Sequence, residues 1–341
     1  MAKPASISVH VHLLSGKTVS LNVEADASVD DLHQRAQKAL AVGRGILLTS
    51  SGDILDGAAS VKSRLQSGDV LTLHQRQTQV VSATGFADGA AFACILGDGS
   101  SVAWGLSGFG GQSGAVQDRL KNVQHIQATR SAFAAILSDG SVVTWGNADC
   151  GGDSSAVHDQ LKNVLRIQAS KAAFAAILGD GSVVTWGHTQ AGGDSSAAQA
   201  QLQDVRQIQA TKAAFAAILA DGTVVAWGDT GFGGSSNEVK NKLQNVSRIQ
   251  STDHAFAAIL QDGSVVTWGD ALFGGDSSAV TGQLKNVLHI QSSDAAFAAI
   301  LADGSVVTWG HALSGGDSTL ADQMNPEIGV LYPVLLFFLL R

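Results

Sequence analysis

The sequence predicts a mainly β protein, and three observations carry that prediction. All six tryptophans, Trp104, Trp145, Trp186, Trp227, Trp268 and Trp309, stand 41 residues apart. Around each of them two β-prone runs flank an Asp-Gly pair, as Ala132 to Leu137 and Val142 to Trp145 do around Asp139-Gly140. The composition has 39 glycines, 3 prolines and only 15% charged residues, which excludes a disordered chain and a coiled coil.

Ahead of the repeats, Ile7, Val9, Val11 and Leu13 alternate with polar residues, Ser15-Gly16-Lys17 makes a turn, and Val19, Leu21 and Val23 alternate again. This is a β-hairpin. From Ser28 to Leu40 the spacing of Val29, Leu32, Ala36, Ala39 and Leu40 is helical, with Ser28 as N-cap and Asp30 and Asp31 suited to a helix start. Two short strands are expected at Ile46 to Thr49 and Val70 to Leu73.

In the repeated hairpin, Phe133, Ala135 and Leu137 point one way and Ala134 and Ile136 the other, so both faces are apolar and both require cover. Sheets stacked face to face supply it: the alanines allow close approach, and one Trp per repeat fills the wedge between neighbours. Asp and Gly at the turn are expected because both tolerate positive φ. The run Val164-Leu165-Arg166-Ile167 adds a strand ahead of the hairpin, and Asp153-Ser154-Ser155 before Val157 and Leu161 predicts a short helix, with a fourth strand as the alternative. Such a period fits a β-propeller, with a solenoid as the alternative. Upstream of Phe92 the first unit degenerates, with Gly85 where the others carry Ile, and after Asp322 the last unit lacks its Leu-Lys-Asn-Val segment. Closure of the ring is thus left open, and an unclosed ring exposes an edge strand unless the apolar tail covers it.

These residues carry two resemblances. Strand, strand, helix, strand, strand is the order of a β-grasp, and Leu14-Ser15-Gly16-Lys17-Thr18-Val19, Val23-Glu24, Asp56-Gly57 and Gly68-Asp69-Val70-Leu71-Thr72-Leu73 resemble ubiquitin. Of the apolar patch that ubiquitin uses for recognition, the resemblance retains Leu14, gives Ile46 or Leu48 as the second member and puts the third near His74. Gln75-Arg76-Gln77-Thr78-Gln79 runs on into the repeats where ubiquitin has its conjugating Gly-Gly, so conjugation is not expected. The pattern Asp-Gly-x-Val-x-x-Trp-Gly with a following Gly pair resembles the regulator of chromosome condensation family, which implies a propeller. Here the family's Gly-x-x-His is replaced by stretches such as Thr129-Arg130-Ser131-Ala132, and its Gly-Gln-Leu-Gly by Gly-Gly-Asp-Ser. The WD-repeat signature is absent, since the dipeptide is Trp-Gly throughout.

The expected organisation is a ubiquitin-like domain over 1–79, a propeller over 80–323 and an apolar tail over 324–341. Net charge is −8 overall, +1 over 1–79 and −9 over 80–323, which excludes a nucleic-acid surface built on phosphate neutralisation and favours basic or neutral protein ligands. Two cysteines make no disulfide framework and fit a reducing compartment, the cytoplasm or nucleus. The first 20 residues lack a secretory apolar stretch, and Ile328 to Leu340 contains Pro333 and is too short for a membrane span, which needs about 20 residues.

The candidate chemistry is thin. His10 and His12 share one side of a strand but need a third ligand to hold a metal. Cys94 replaces an Ala of the other repeats and Cys150 a variable loop residue, so neither reads as a nucleophile. The Gly-Gly-Asp-Ser-Ser loop at 192–196 lacks the Lys of a phosphate cradle, and His188 and His311 recur at equivalent loop positions. No catalytic, cofactor or metal set emerges. The expectation is a non-catalytic scaffold or adaptor whose propeller binds proteins and whose first domain, through Leu14, Ile46 and His74, links them to ubiquitin or proteasome components. The alternatives are a guanine-nucleotide exchange factor for a small GTPase and a non-catalytic fragment of a propeller-containing ubiquitin ligase. Binding specificity is expected in the spacers, such as Asn147-Ala148-Asp149 and Asp229-Thr230-Gly231.

Overall fold

The computed structural model describes residues 5–317 apart from 56, 58, 76–77 and 85–88, so the expected tail at 324–341 lies outside the described residues. The chain divides into two compact units, 1–148 and 149–341.

The first unit opens with β1 (Ser6–His12), β2 (Thr18–Glu24), α1 (Val29–Leu40), β3 (Ile46–Leu48), α2 (Val61–Arg64) and β4 (Val70–His74). The strands form one sheet in the order β2-β1-β4-β3, with β1 and β4 parallel. Alternation decides which face is buried: Val9, Val11, Val23, Leu47, Leu71 and Leu73 turn inward onto Leu32, Ala36 and Leu40 of α1. The Ser28 side chain accepts the Asp31 N–H as N-cap, and Ala41 ends α1 in the left-handed conformation. Sequence reading missed α2, whose four residues are too few to show a period; it is held by buried Val61 and by the N–H groups of Val61 and Lys62 on the carbonyls of Ala27 and Ala25.

Six three-stranded antiparallel sheets follow among the described residues, each named here by its tryptophan. The first unit holds the Trp104 sheet (Gln79–Thr84, Ala90–Ile95, Ser101–Gly105) and the Trp145 sheet (Val123–Ala128, Ala132–Leu137, Val142–Gly146). The second holds the Trp186 sheet (Val164–Ala169, Ala173–Leu178, Val183–Gly187) and the Trp227 sheet (Val205–Ala210, Ala214–Leu219, Val224–Gly228). It continues with the Trp268 sheet (Val246–Ser251, Ala255–Leu260, Val265–Gly269) and the Trp309 sheet (Val287–Ser292, Ala296–Leu301, Val306–Gly310). Small repeated sheets of this kind are propeller-like.

In the Trp145, Trp186, Trp227 and Trp268 sheets both faces of the central strand are buried, as its composition requires. Ala255, Ala257 and Ile259 of the Trp268 sheet pack with Phe297, Ala299 and Leu301 of the Trp309 sheet, and Ala214, Ala216 and Ile218 pack with Phe256 and Ala258. Trp268 and Trp309 fill the wedges at these joints. Trp268 stacks on Phe256 at 5.1 Å between ring centroids, and its Nε1 donates to the Gly233 carbonyl of the preceding repeat at 3.0 Å. Gly233 has φ +84°, and a Cβ there would lie 2.8 Å from Cδ2 of Phe256, so the socket accepts only glycine. The same bond joins Trp145 to Gly110, Trp186 to Gly151, Trp227 to Gly192 and Trp309 to Gly274.

Two expectations are corrected, and one strand lies out of the register of the repeat. Only the Gly of Asp-Gly takes positive φ, 77° at Gly140. The loop is longer than a two-residue turn, with Leu137 N–H donating to Ser141, and Oδ1 of Asp139 accepts from both N and Oγ of Ser141 at 2.9 and 2.6 Å. Those bonds hold the Asp139 carboxyl below its ordinary value. The predicted helix after Asp153 is a single 3-10 turn, Ser155–Val157, because Oδ1 of Asp153 takes the Ser155 N–H at 2.8 Å and no further turn follows. Lastly, the first strand of the Trp104 sheet is displaced: Phe92 faces Ser82, where the 41-residue period would put residue 87. It also lacks the bulge that the other five sheets carry, as between Val164 and Arg166.

Ser101 occupies the place of Val142 and its equivalents, is fully buried, and has no hydrogen-bond partner for its hydroxyl. An unsatisfied buried hydroxyl costs about 1–3 kcal/mol, so Ser101→Val is expected to raise the unfolding free energy measured in urea by an amount in that range and the midpoint with it. Gly192→Ala is expected to lower it, since the new Cβ would stand 2.5 Å from Cδ2 of Phe215, whereas Gly282→Ala meets nothing within 4 Å and serves as control.

Candidate interaction surfaces

The outward face of the first sheet carries the side chains that alternation turns away from α1: His10 and His12 on β1, Ile46 and Leu48 on β3, and Val70, Thr72 and His74 on β4. Ile46 and His74 are direct cross-strand partners, so the structure brings two of the three expected residues together. Leu14 lies in the β1–β2 turn, 77% exposed, at the end of β1 where His12 pairs with Thr72. Val70, 46% exposed, stands on the same face. Its signal in the sequence was its alternation with Leu71, which the sequence reading used to define a strand. The two strand histidines each meet a hydroxyl: Nδ1 of His10 lies 2.8 Å from Ser20 Oγ, and Nε2 of His12 lies 3.0 Å from Thr72 Oγ1. Among the described residues no group of three or more His, Cys, Asp and Glu is placed to hold a metal ion. Cys94 and Cys150 are buried, and burial pushes the Cys94 thiol up.

In the second unit the turns that enter each central strand form a second surface. Lys171, Lys212, Asp253 and Asp294 occupy equivalent places, linked by backbone bonds of 2.9 Å from Lys171 to Lys212, Lys212 to Asp253 and Asp253 to Asp294. The Lys212 ammonium pairs with the Asp253 carboxylate. Together with Thr211, Ser251, Thr252 and Ser292 they line a polar cavity of about 360 Å³. What fixes these turns is a buried hydroxyl. Thr252 Oγ1 accepts the Ala255 N–H at 3.0 Å and donates to the Phe273 carbonyl at 3.0 Å, and Thr211 does the same with Ala214 and Phe232. Thr129, Ser170, Thr211, Thr252 and Ser293 recur at that slot, so the stretch Thr129-Arg130-Ser131-Ala132 and its equivalents hold a structural staple.

Beside this cavity the imidazole of His254 stacks between Phe232, at 4.1 Å, and Phe273, at 4.0 Å. Burial lowers its pKa, against the pull of the Asp253, Asp270 and Asp229 carboxylates, so the ring is a neutral aromatic at neutral pH. Asp229 and Asp270 receive the N–H groups of Gly231 and Leu272 at 2.8 Å and so shape the two spacers that present Phe232 and Phe273. Leu272 stands out 69% exposed. The result is an apolar ridge beside a charged cavity.

No family model matches the chain, and no curated protein sequence matches it. Solved structures do. Prp20p of Saccharomyces cerevisiae, whose binding to Gsp1p and histones was characterised, is 18% identical over 67% of this chain and 71% of that one, with a TM-score of 0.43. Human WBSCR16 is 13% identical over 79% of this chain and 88% of that one, with a TM-score of 0.44. A designed protein based on ubiquitin is 18% identical over 22% of this chain and 94% of that one, with a TM-score of 0.20.

Because burial depresses the His254 pKa, the folded state binds fewer protons than the unfolded state between the two values. The contribution to stability is complete above the ordinary value of 6.5 and is lost as pH falls through it toward the folded value. Thermal midpoints are expected to drop on acidification through that window. His254→Phe is expected to flatten the dependence in part, since His33 and His125 are shifted the same way by burial.

Proposed function

We propose that the chain is a non-catalytic protein-interaction scaffold of the cytoplasm or nucleus, with residues 1–79 a ubiquitin-like β-grasp domain and 80–323 a propeller of the regulator of chromosome condensation type. The observation that supports this reading is the outward sheet face that carries half-buried Ile46 and His74 and exposed Val70, with exposed Leu14 in the adjoining turn, in a sheet whose order is that of a β-grasp. That face docks onto receptors of ubiquitin or onto proteasome components. The repeats bind basic or neutral proteins, in keeping with their net charge of −9 and with the ridge of Phe232, His254, Phe273 and Leu272. A lack of catalysis is supported by the way the repeated Asp and Ser side chains are spent on their own turns, as at Asp139 and Ser141.

The test is affinity capture from a cell extract with the full chain and with a Leu14→Ala, Ile46→Ala double variant, read by mass spectrometry. Ubiquitin-pathway and proteasome proteins are expected with the first bait and depleted at least severalfold with the second. If both recover one set led by a small GTPase, and the chain accelerates nucleotide release from it, the exchange-factor reading replaces this one.

A further inference from the structure

The joint between neighbouring repeats has two unlike halves. One half is the Phe and Trp face of a sheet, and the other is the Ala, Ala, Ile and Val face of the preceding sheet with its Gly socket. Wherever the two meet they are dry: Phe133, Phe174, Phe215, Phe256 and Phe297 are at most 1% exposed, and the tryptophans from Trp145 to Trp309 at most 5%. The Trp104 sheet of the first unit and the Trp309 sheet of the second each leave one half over. On the Trp104 sheet, Phe92 and Trp104 stack at 5.6 Å yet are 38% and 46% exposed, and the Trp104 indole N–H has no acceptor among the described residues. On the Trp309 sheet, Ile300 and Val306 are 36% and 51% exposed where their equivalents Ile136 and Val142 are 6% and 1%. Gly315, at φ +97°, occupies the socket position and meets nothing within 4 Å.

We propose that these two faces associate head to tail between copies of this chain, the Phe92 and Trp104 face of one copy seating on the Ile300, Val306 and Gly315 face of the next. The occupant is specified by the joint itself. A Gly socket takes an aromatic ring and its carbonyl takes an indole N–H, and every filled socket is filled by the Phe and Trp pair of another repeat. A contact between unlike faces is heterologous, so it adds copies in sequence and does not stop at a two-fold dimer. This inference is independent of which partners the two surfaces described above bind.

The test is molar mass by light scattering and sedimentation over a wide range of protein concentration, with Trp104→Asp and Val306→Asp as variants. Both positions are exposed, so the variants are expected to keep the circular dichroism spectrum of the parent. Mass is expected to rise with concentration in the parent and to stay at one chain in each variant alone. An equimolar mixture of the two variants is expected to form a one-to-one dimer, since each retains the half that the other has lost. A parent that is monomeric throughout overturns the proposal, and if it associates only after removal of residues 318–341, that segment is the occupant. A variant that still associates like the parent also overturns it, because like faces would then be pairing.

Discussion

The structure depends on one contact, the fit of a Phe and Trp pair into a socket that has no side chain. Trp268 on Phe256, with its indole N–H on Gly233, ties each repeat to the one before it through burial, ring stacking and a hydrogen bond at once. The rest is arranged to let that contact form. The alanines of the central strands bring the sheets close, the Gly pair opens the space, and the hydroxyl of Thr252 or its equivalent holds the chain where it enters the next hairpin. The joint is local, so a sheet such as that of Trp268 is stabilised chiefly by the sheets on either side of it.

Against that background the surfaces gain their meaning. Scaffold residues repeat, and residues that do not repeat are the ones available for recognition. His254 stands where other repeats carry Ser or Ala, and it is this substitution that builds the stack with Phe232 and Phe273. The switch from Lys171 and Lys212 to Asp253 and Asp294 likewise gives the cavity a basic side and an acidic side that a strictly repeated sequence would not have. In the first sheet the same separation runs between faces: Val9, Val11, Leu71 and Leu73 hold the core while Ile46, Val70 and His74 stay outside.

Most of this was legible in the sequence because the determining patterns are short in range. Alternation in β1 and β2, the N-cap at Ser28 and the period of the tryptophans each fix local geometry within a few residues. What escaped depends on partners far along the chain. The bond from Trp145 to Gly110 spans 35 residues, and the staple from Thr211 to Phe232 spans 21, so neither could be read from spacing alone. The displaced strand of the Trp104 sheet is a case of registry chosen by what the chain can bury: with Gly85 in the Ile position, Val81 and Ala83 pack instead. The Asp153 loop was misjudged for a different reason, since a carboxylate that caps a turn looks in sequence like one that starts a helix.

The uniformity of the joint bears on how such a chain can change over time. Where neighbouring sheets meet through the same pair of faces, as those of Trp227, Trp268 and Trp309 do, deleting or inserting one whole 41-residue unit removes or adds a joint without altering the chemistry of those that remain. Unequal recombination within the coding sequence would then yield chains of different length that still pack. In such a lineage whole repeats can be exchanged or duplicated, while selection acts chiefly on the individual positions, such as His254, that make one copy different from its neighbours.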